Sequence, residues 1–142
     1  PEVMGLLLTP PPQGREPFIE FNLKLFRALT GPRFGFDEEW VRNLMARAYD
    51  RAFYPQGEAR QLVAILTQGN RRTALNALKV PTLVIHGDAD PLVSVEAGKD
   101  TAEAVPGAVL KIMEGMGHDL PHGEAWAQIA RDIMAHTKKA GG

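Results

Sequence analysis

At 142 residues, 44% hydrophobic and 23% charged, the chain has the size and composition of one folded domain with a real core, not of a disordered segment. With 16 Lys and Arg against 17 Asp and Glu, it carries no field strong enough to gather nucleic acid or an anionic membrane, so its partner is expected to be a small molecule or another protein. The absence of cysteine excludes disulfides, thiolate metal sites and cysteine nucleophiles and fits a cytoplasmic setting, and the apolar runs are too short to span a bilayer. The first residues lack the basic start and cleavage region of a signal peptide, and position 1 is not Met, which raises the expectation that the chain begins partway through a longer protein.

In chain order, Pro10, Pro11, Pro12 and Gly14 cannot continue a helix or a central strand, and residues 1–14 are expected to form an irregular lead-in. From Glu16 to Leu29, the residues Phe18, Phe21, Leu25, Phe26 and Leu29 gather on one helical face, which predicts a helix packed on a core. Gly31, Pro32 and Gly35 break it. Asp37 then offers an N-cap, with Glu38 and Glu39 in the first turn where acids suit the helix dipole. The helix it opens is predicted to reach about Phe53, with Trp40, Leu44 and Ala48 on its apolar side, before Pro55 and Gly57 stop it. A third helix, Glu58 to Gln68, offers Leu62, Val63, Ile65 and Leu66 for burial, and Gly69 with Asn70 supplies its end.

The pattern changes at Val80. Pro81 introduces TLVIHG, a β-branched and apolar run that predicts a strand buried on both faces. Ser94 is placed to cap a helix over Val95 to Ala104, ended by Pro106 and Gly107, and AVLKIM (Ala108 to Met113) predicts a second strand. A last helix, Gly123 to Lys138, carries Trp126, Ile129, Ala130, Ile133 and Met134 on one side. Strand, helix, strand, helix at this spacing implies an α/β fold with parallel strands. Two strands alone cannot cover both faces of such a sheet, so further strands are expected from a missing N-terminal half or from a partner chain.

Polar residues follow directly on both strands, at the carboxyl ends where open α/β sheets place ligands. These passages are HGDADP, from His86 to Pro91, and GMGHDLP, from Gly115 to Pro121. If the strands are neighbours, Asp90 and His118 face each other. An Asp that accepts a hydrogen bond from one ring nitrogen fixes the imidazole tautomer and leaves the other nitrogen to take a proton. Such a base still needs a nucleophile.

PTLVIHGDADPLVSVEAGK followed by VLKIMEGMGHDLP resembles the end of the α/β-hydrolase fold, and the helices ahead of it, together with MGHDLP, look most like esterases of the aclacinomycin-methylesterase type. The resemblance implies the chain order nucleophile, acid, base, with Asp90 as the acid and His118 as the base. It implies a helical cap over residues 15–78, the C-terminal part of the hydrolase core over 79–138, and a flexible tail at 139–142. It also implies a small-molecule carboxylic ester as substrate and no cofactor. The family's nucleophile elbow, G-x-S-x-G, and the oxyanion-hole loop are absent: the only serine, Ser94, follows the acid and has no flanking elbow glycines. The chain alone is therefore expected to be inactive and to expose a sheet edge that invites homo-oligomers.

Other readings stay open. His86, Asp88 and Asp90 alternate along the strand end and could be metal ligands, although an Asp at a strand exit more often caps a turn and no metal is assigned. Asp88 could orient the acid's loop by bonding to the backbone two residues on. Asp119 and His122 flank His118, whereas His136, Arg71 and Arg72 are expected on the solvated surface. Phe18, Phe21, Phe34, Phe53 and Trp40 suit an apolar cap over a substrate pocket. The same fold also hosts dehalogenation, epoxide opening and cofactor-free haloperoxidase chemistry, and a non-enzymatic ligand-binding module is the remaining class.

Overall fold

The computed structural model describes residues 2–118 and 122–140. Its elements in order are α1 (Glu2–Leu7), α2 (Arg15–Leu29), α3 (Glu38–Arg51), α4 (Pro55–Thr67), α5 (Arg72–Asn76), β1 (Leu83–Gly87), α6 (Val95–Ala104), β2 (Val109–Met113) and α7 (Gly123–Ala140). They divide into two compact units, a helical one built from residues 1–29 and 36–70 and a second built from 30–35 and 71–142.

In the helical unit α2 packs along α3. Phe18, Ile19, Leu23, Val41 and Met45 form its buried centre, and Phe26, Trp40, Leu44, Tyr49 and Phe53 pack around them. Phe18 meets Phe53 edge to face at 5.7 Å and Tyr49 at 5.4 Å, geometries that favour aromatic pairs. Asp37 caps α3 as expected, accepting the Trp40 N–H at 2.9 Å. The buried stripe of α3 is centred one position away from the expected one, on Val41 and Met45. Outside, Arg15 binds Asp50 at 2.8 Å, and Arg42 reaches Glu20 at 2.6 Å and Glu16 at 3.5 Å.

Three further expectations fail in this unit. Residues 2–7 are helical, not irregular, because the proline break lies downstream of them and Val3 is buried where α1 meets α2. Pro55 does not simply stop a helix; it opens α4 at a first-turn position, where its missing N–H costs nothing. The apolar residues of α4 are not buried either. Val63, Ile65 and Leu66 are exposed, since α4 packs against no other helix of this unit.

In the second unit β1 and β2 pair in parallel, Leu83 opposite Val109 through Gly87 opposite Met113, which bears out the α/β reading. The crossover helix α6 packs on both strands and α7 on β1. Met113, Met116 and Ile129 are the buried centre, joined by Phe34 and Ile85. Lys111 on β2 meets Asp132 on α7 at 3.3 Å. The strands are not buried on both faces as their sequences predict: Leu83 to His86 are only half-buried, and Val109 and Ile112 are exposed. On α7 only one edge of the apolar stripe, Ala125 and Ile129, is buried, while Trp126, Ile133 and Met134 face solvent. These sequences carry more apolar surface than two strands and their helices can cover.

Arg71 and Arg72 are exposed, as expected, and α5 opens at Arg72, which pairs with Asp100 on α6. His136 is not a free surface residue: its Nε2 is shut off from water and has no hydrogen-bond partner among the described residues. It lines a hollow of about 330 Å³ with Lys79 and Lys139, beside Pro81 and Pro106, which precede the two strands. The helix α7 takes in the first half of the expected tail, to Ala140, while residues 141–142 and Asp119 lie outside the described residues.

Candidate active site

Both strands end on one rung, so the loops that leave them start level. Three hydrogen bonds then join loop to loop. The Asp88 N–H donates to the Met113 carbonyl at 3.2 Å, the Ala89 N–H to the Met116 carbonyl at 3.0 Å, and the Gly115 N–H to Asp88 Oδ1 at 2.6 Å. So close an approach needs glycine at the strand end, because a Cβ on Gly87 would collide with the Met116 carbonyl. The chain reverses at Gly115, whose φ of +67° is a left-handed conformation that glycine adopts without strain.

The other side of this turn is held by residues 30–35, which belong to the same unit. The Arg33 N–H donates to the Gly115 carbonyl at 3.1 Å, and Gly31 lies so close to the backbone of Gly115 to Gly117 that any side chain there would clash. The Arg33 guanidinium sits 5.3 Å from the Phe34 ring centroid and 3.8 Å from Glu114. Sequence reasoning took Gly31, Pro32 and Gly35 only as a helix break. The available signal was two glycines around a short loop, which mark close backbone approach as readily as a turn.

Asp90 is fixed by its own loop. Its Oδ1 accepts the N–H groups of Leu92 and Val93, each at 2.8 Å, which makes a local Asx turn. Its Oδ2 lies 2.8 Å from His118 Nδ1. The Asp90 side chain is 5% exposed and that of His118 is 46% exposed, so the pair has a buried carboxylate and an accessible imidazole. Burial alone would raise the Asp90 carboxyl, but the hydrogen bonds from Val93, His118 and Leu92 outweigh it and hold the group below the ordinary carboxylate value.

His86 also serves this loop. Its Nε2 is 2.9 Å from the Val93 carbonyl, to which it donates, and 3.7 Å from Asp90 Oδ2. Asp88 departs from its expected role: the Asx turn belongs to Asp90, while the Asp88 carboxylate reaches 27 residues along the chain to Gly115. Ser94 occupies the N-cap position of α6, but its side chain makes no capping bond. Of the five aromatics expected in an apolar cap, Phe18, Phe53 and Trp40 belong to the core of the helical unit and Phe34 to that of the second. A hollow of about 380 Å³ beside the base loop is lined by Pro32, Arg33, Glu114 and Gly115, not by Asp90 or His118.

Chemically, an ionised carboxylate can only accept, so His118 Nδ1 bears the proton of the 2.8 Å bond. Nε2 is then a base whose protonated form the carboxylate would stabilise.

Residues 29–125 match the profile of the family described as Hydrolase_4, serine aminopeptidase, S33. Among curated proteins, the rhodomycin D methylesterase DnrP of Streptomyces peucetius is 27% identical over 138 residues, covering 96% of this chain and 46% of that protein. A non-heme chloroperoxidase of Kitasatospora aureofaciens is 43% identical over 47 residues, 32% of this chain and 17% of that one. The solved structure of a thermophilic esterase from Thermogutta terrifontis superposes with a TM-score of 0.68 at 20% identity, over 99% of this chain and 51% of its own, a likeness of fold alone. The chain thus spans about half the length of the methylesterase and of the esterase it matches.

Proposed function

Since the chain belongs to the serine aminopeptidase S33 family of α/β-fold hydrolases, we propose that it is the C-terminal part of an esterase that cleaves carboxylic esters of small molecules. In this reading Asp90 is the acid and His118 the base of a nucleophile, acid, base triad. The observation that carries it is the 2.8 Å bond from His118 Nδ1 to an Asp90 oxygen, with the other oxygen already held by two backbone N–H groups. The likeness to a methylesterase supports the substrate class.

His118 Nε2 would take the proton of a nucleophilic hydroxyl as it attacks the ester carbonyl, and then deliver it to the departing alcohol. Asp90 would keep the ring oriented and balance the transient imidazolium. The nucleophile and the oxyanion-hole donors would come from the N-terminal half of the fold, outside this sequence, and the protein would work in the cytoplasm without a cofactor. The likeness to a non-heme chloroperoxidase favours a second reading, in which the same triad passes an acyl group to hydrogen peroxide instead of water.

The test has two arms. The 142-residue chain alone should not turn over p-nitrophenyl butyrate; turnover with a serine-directed phosphonate attached to Ser94 would overturn the reading. In the full-length protein, His118→Ala and Asp90→Asn should each lower kcat by about a thousandfold or more. Adding hydrogen peroxide and assaying for peracid separates hydrolysis from perhydrolysis.

A further inference from the structure

We propose that Asp88 is a positioning residue of this site, its carboxylate bridging the acid loop to the base loop and thereby setting the approach of His118 to Asp90; the proposal rests on the triad reading above. Asp88 is exposed, yet it forms no ion pair among the described residues. Its carboxylate makes one short hydrogen bond instead, accepting the Gly115 N–H at 2.6 Å. A charged acceptor at that distance makes one of the stronger bonds open to a backbone N–H.

The placement gives the bond its effect. Asp88 stands two residues before Asp90, and Gly115 three before His118. Gly115 lies at the left-handed reversal of the base loop, and its carbonyl is held from the opposite side by the Arg33 N–H at 3.1 Å. Both polar groups of this one glycine are therefore fixed, one by the acid loop and one by residues 30–35. The remaining ties, Asp88 N–H to Met113 and Ala89 N–H to Met116, fall on either side of Gly115, so among the described residues the carboxylate is the acid loop's one hold on Gly115 itself, and its removal leaves the Gly115 N–H without that partner. The turn that carries His118 would then be held by one bond fewer, and proton transfer depends steeply on such alignment.

The experiment uses the full-length protein with Asp88→Ala and Asp88→Asn, because the Asn carbonyl can still accept the Gly115 N–H while carrying no charge. Rates are measured per titrated active site, so that loss of folded protein does not count. Asp88→Ala should lower kcat about tenfold with KM within about twofold, and Asp88→Asn should restore kcat to within about twofold of the parent. Independently of activity, the downfield proton resonance of His118 Nδ1–H should broaden or vanish in Asp88→Ala and persist in Asp88→Asn. An unchanged kcat and resonance in Asp88→Ala would overturn the proposal, as would an Asn variant as damaged as the Ala one. If Asp90→Asn and His118→Ala leave activity intact, the triad reading fails on its own evidence, and the resonance still decides whether Asp88 positions the ring.

Discussion

The two units of this chain are held together by different interactions. The helical unit is a packing problem solved with side chains: two helices close over Phe18, Ile19, Leu23, Val41 and Met45, and its charged pairs stay outside. The unit that carries Asp90 and His118 has a smaller centre, Met113, Met116 and Ile129. Its loops are held mostly by backbone hydrogen bonds and by glycines that allow backbone to touch backbone. Stability in the first unit should therefore follow buried volume, and site geometry in the second should follow a few close contacts.

The sharpest way to break this contrast is Gly31→Val, a substitution at a residue with no side chain and no chemistry of its own. Its side chain would push into the backbone of Gly115 to Gly117, and activity of the full-length protein should fall about a hundredfold with far-UV circular dichroism unchanged. Next comes Ile19→Ala, at a residue 1% exposed: it should cost about 2–5 kcal/mol in denaturant melts and leave kcat per folded molecule alone. A change in the His118 resonance on this substitution would show that the units are not independent.

Acid gives a smaller effect that can be divided between the units. The Asp90 carboxyl is held low in spite of burial by its hydrogen bonds, and the exposed Asp50 carboxyl is held low by its hydrogen bond from Arg15. A group whose folded value is depressed contributes stability above its unfolded value, and that contribution is lost as pH falls through the folded one. Melting temperature should thus drop below about pH 4. Salt should erase the Asp50 share, which is solvent-screened, but spare most of the Asp90 share, and Asp90→Asn should flatten the remainder. The smallest effect is expected on α4, where changing Val63, Ile65 and Leu66 to Gln should move stability by about 0.5 kcal/mol or less and reduce self-association seen by light scattering. A larger loss would mean that this face has a partner.

The meeting of Asp90 with His118 was legible because each follows a strand whose apolar run and terminal turn announce it, and the parallel pairing follows from the helix between them. What was not legible is long-range. That Asp90 turns on its own loop is a local matter, but that Asp88 reaches Gly115 depends on a register no short window contains. Residues 30–35 looked like a helix break because their partner lies about eighty residues away, at Gly115. Burial was misjudged for a different reason. The apolar runs of β1, β2, α4 and α7 record surface suited to being covered, while the chain itself covers only part of it.

Because Gly87 and Met113 share a rung, the height of the two loops is decided by register and not by how much polypeptide lies between them. A slip of one residue would displace His118 by about 3.3 Å relative to Asp90 and turn every side chain of the strand to the other face. Extra residues inserted at the exposed Pro106 and Gly107, where α6 hands over to β2, would leave that rung untouched. The same insertion between Met113 and His118 would keep the rung but carry His118 away from Asp90. Length can therefore drift at one end of the strands without penalty, while the opposite end tolerates neither gain nor loss of a single residue.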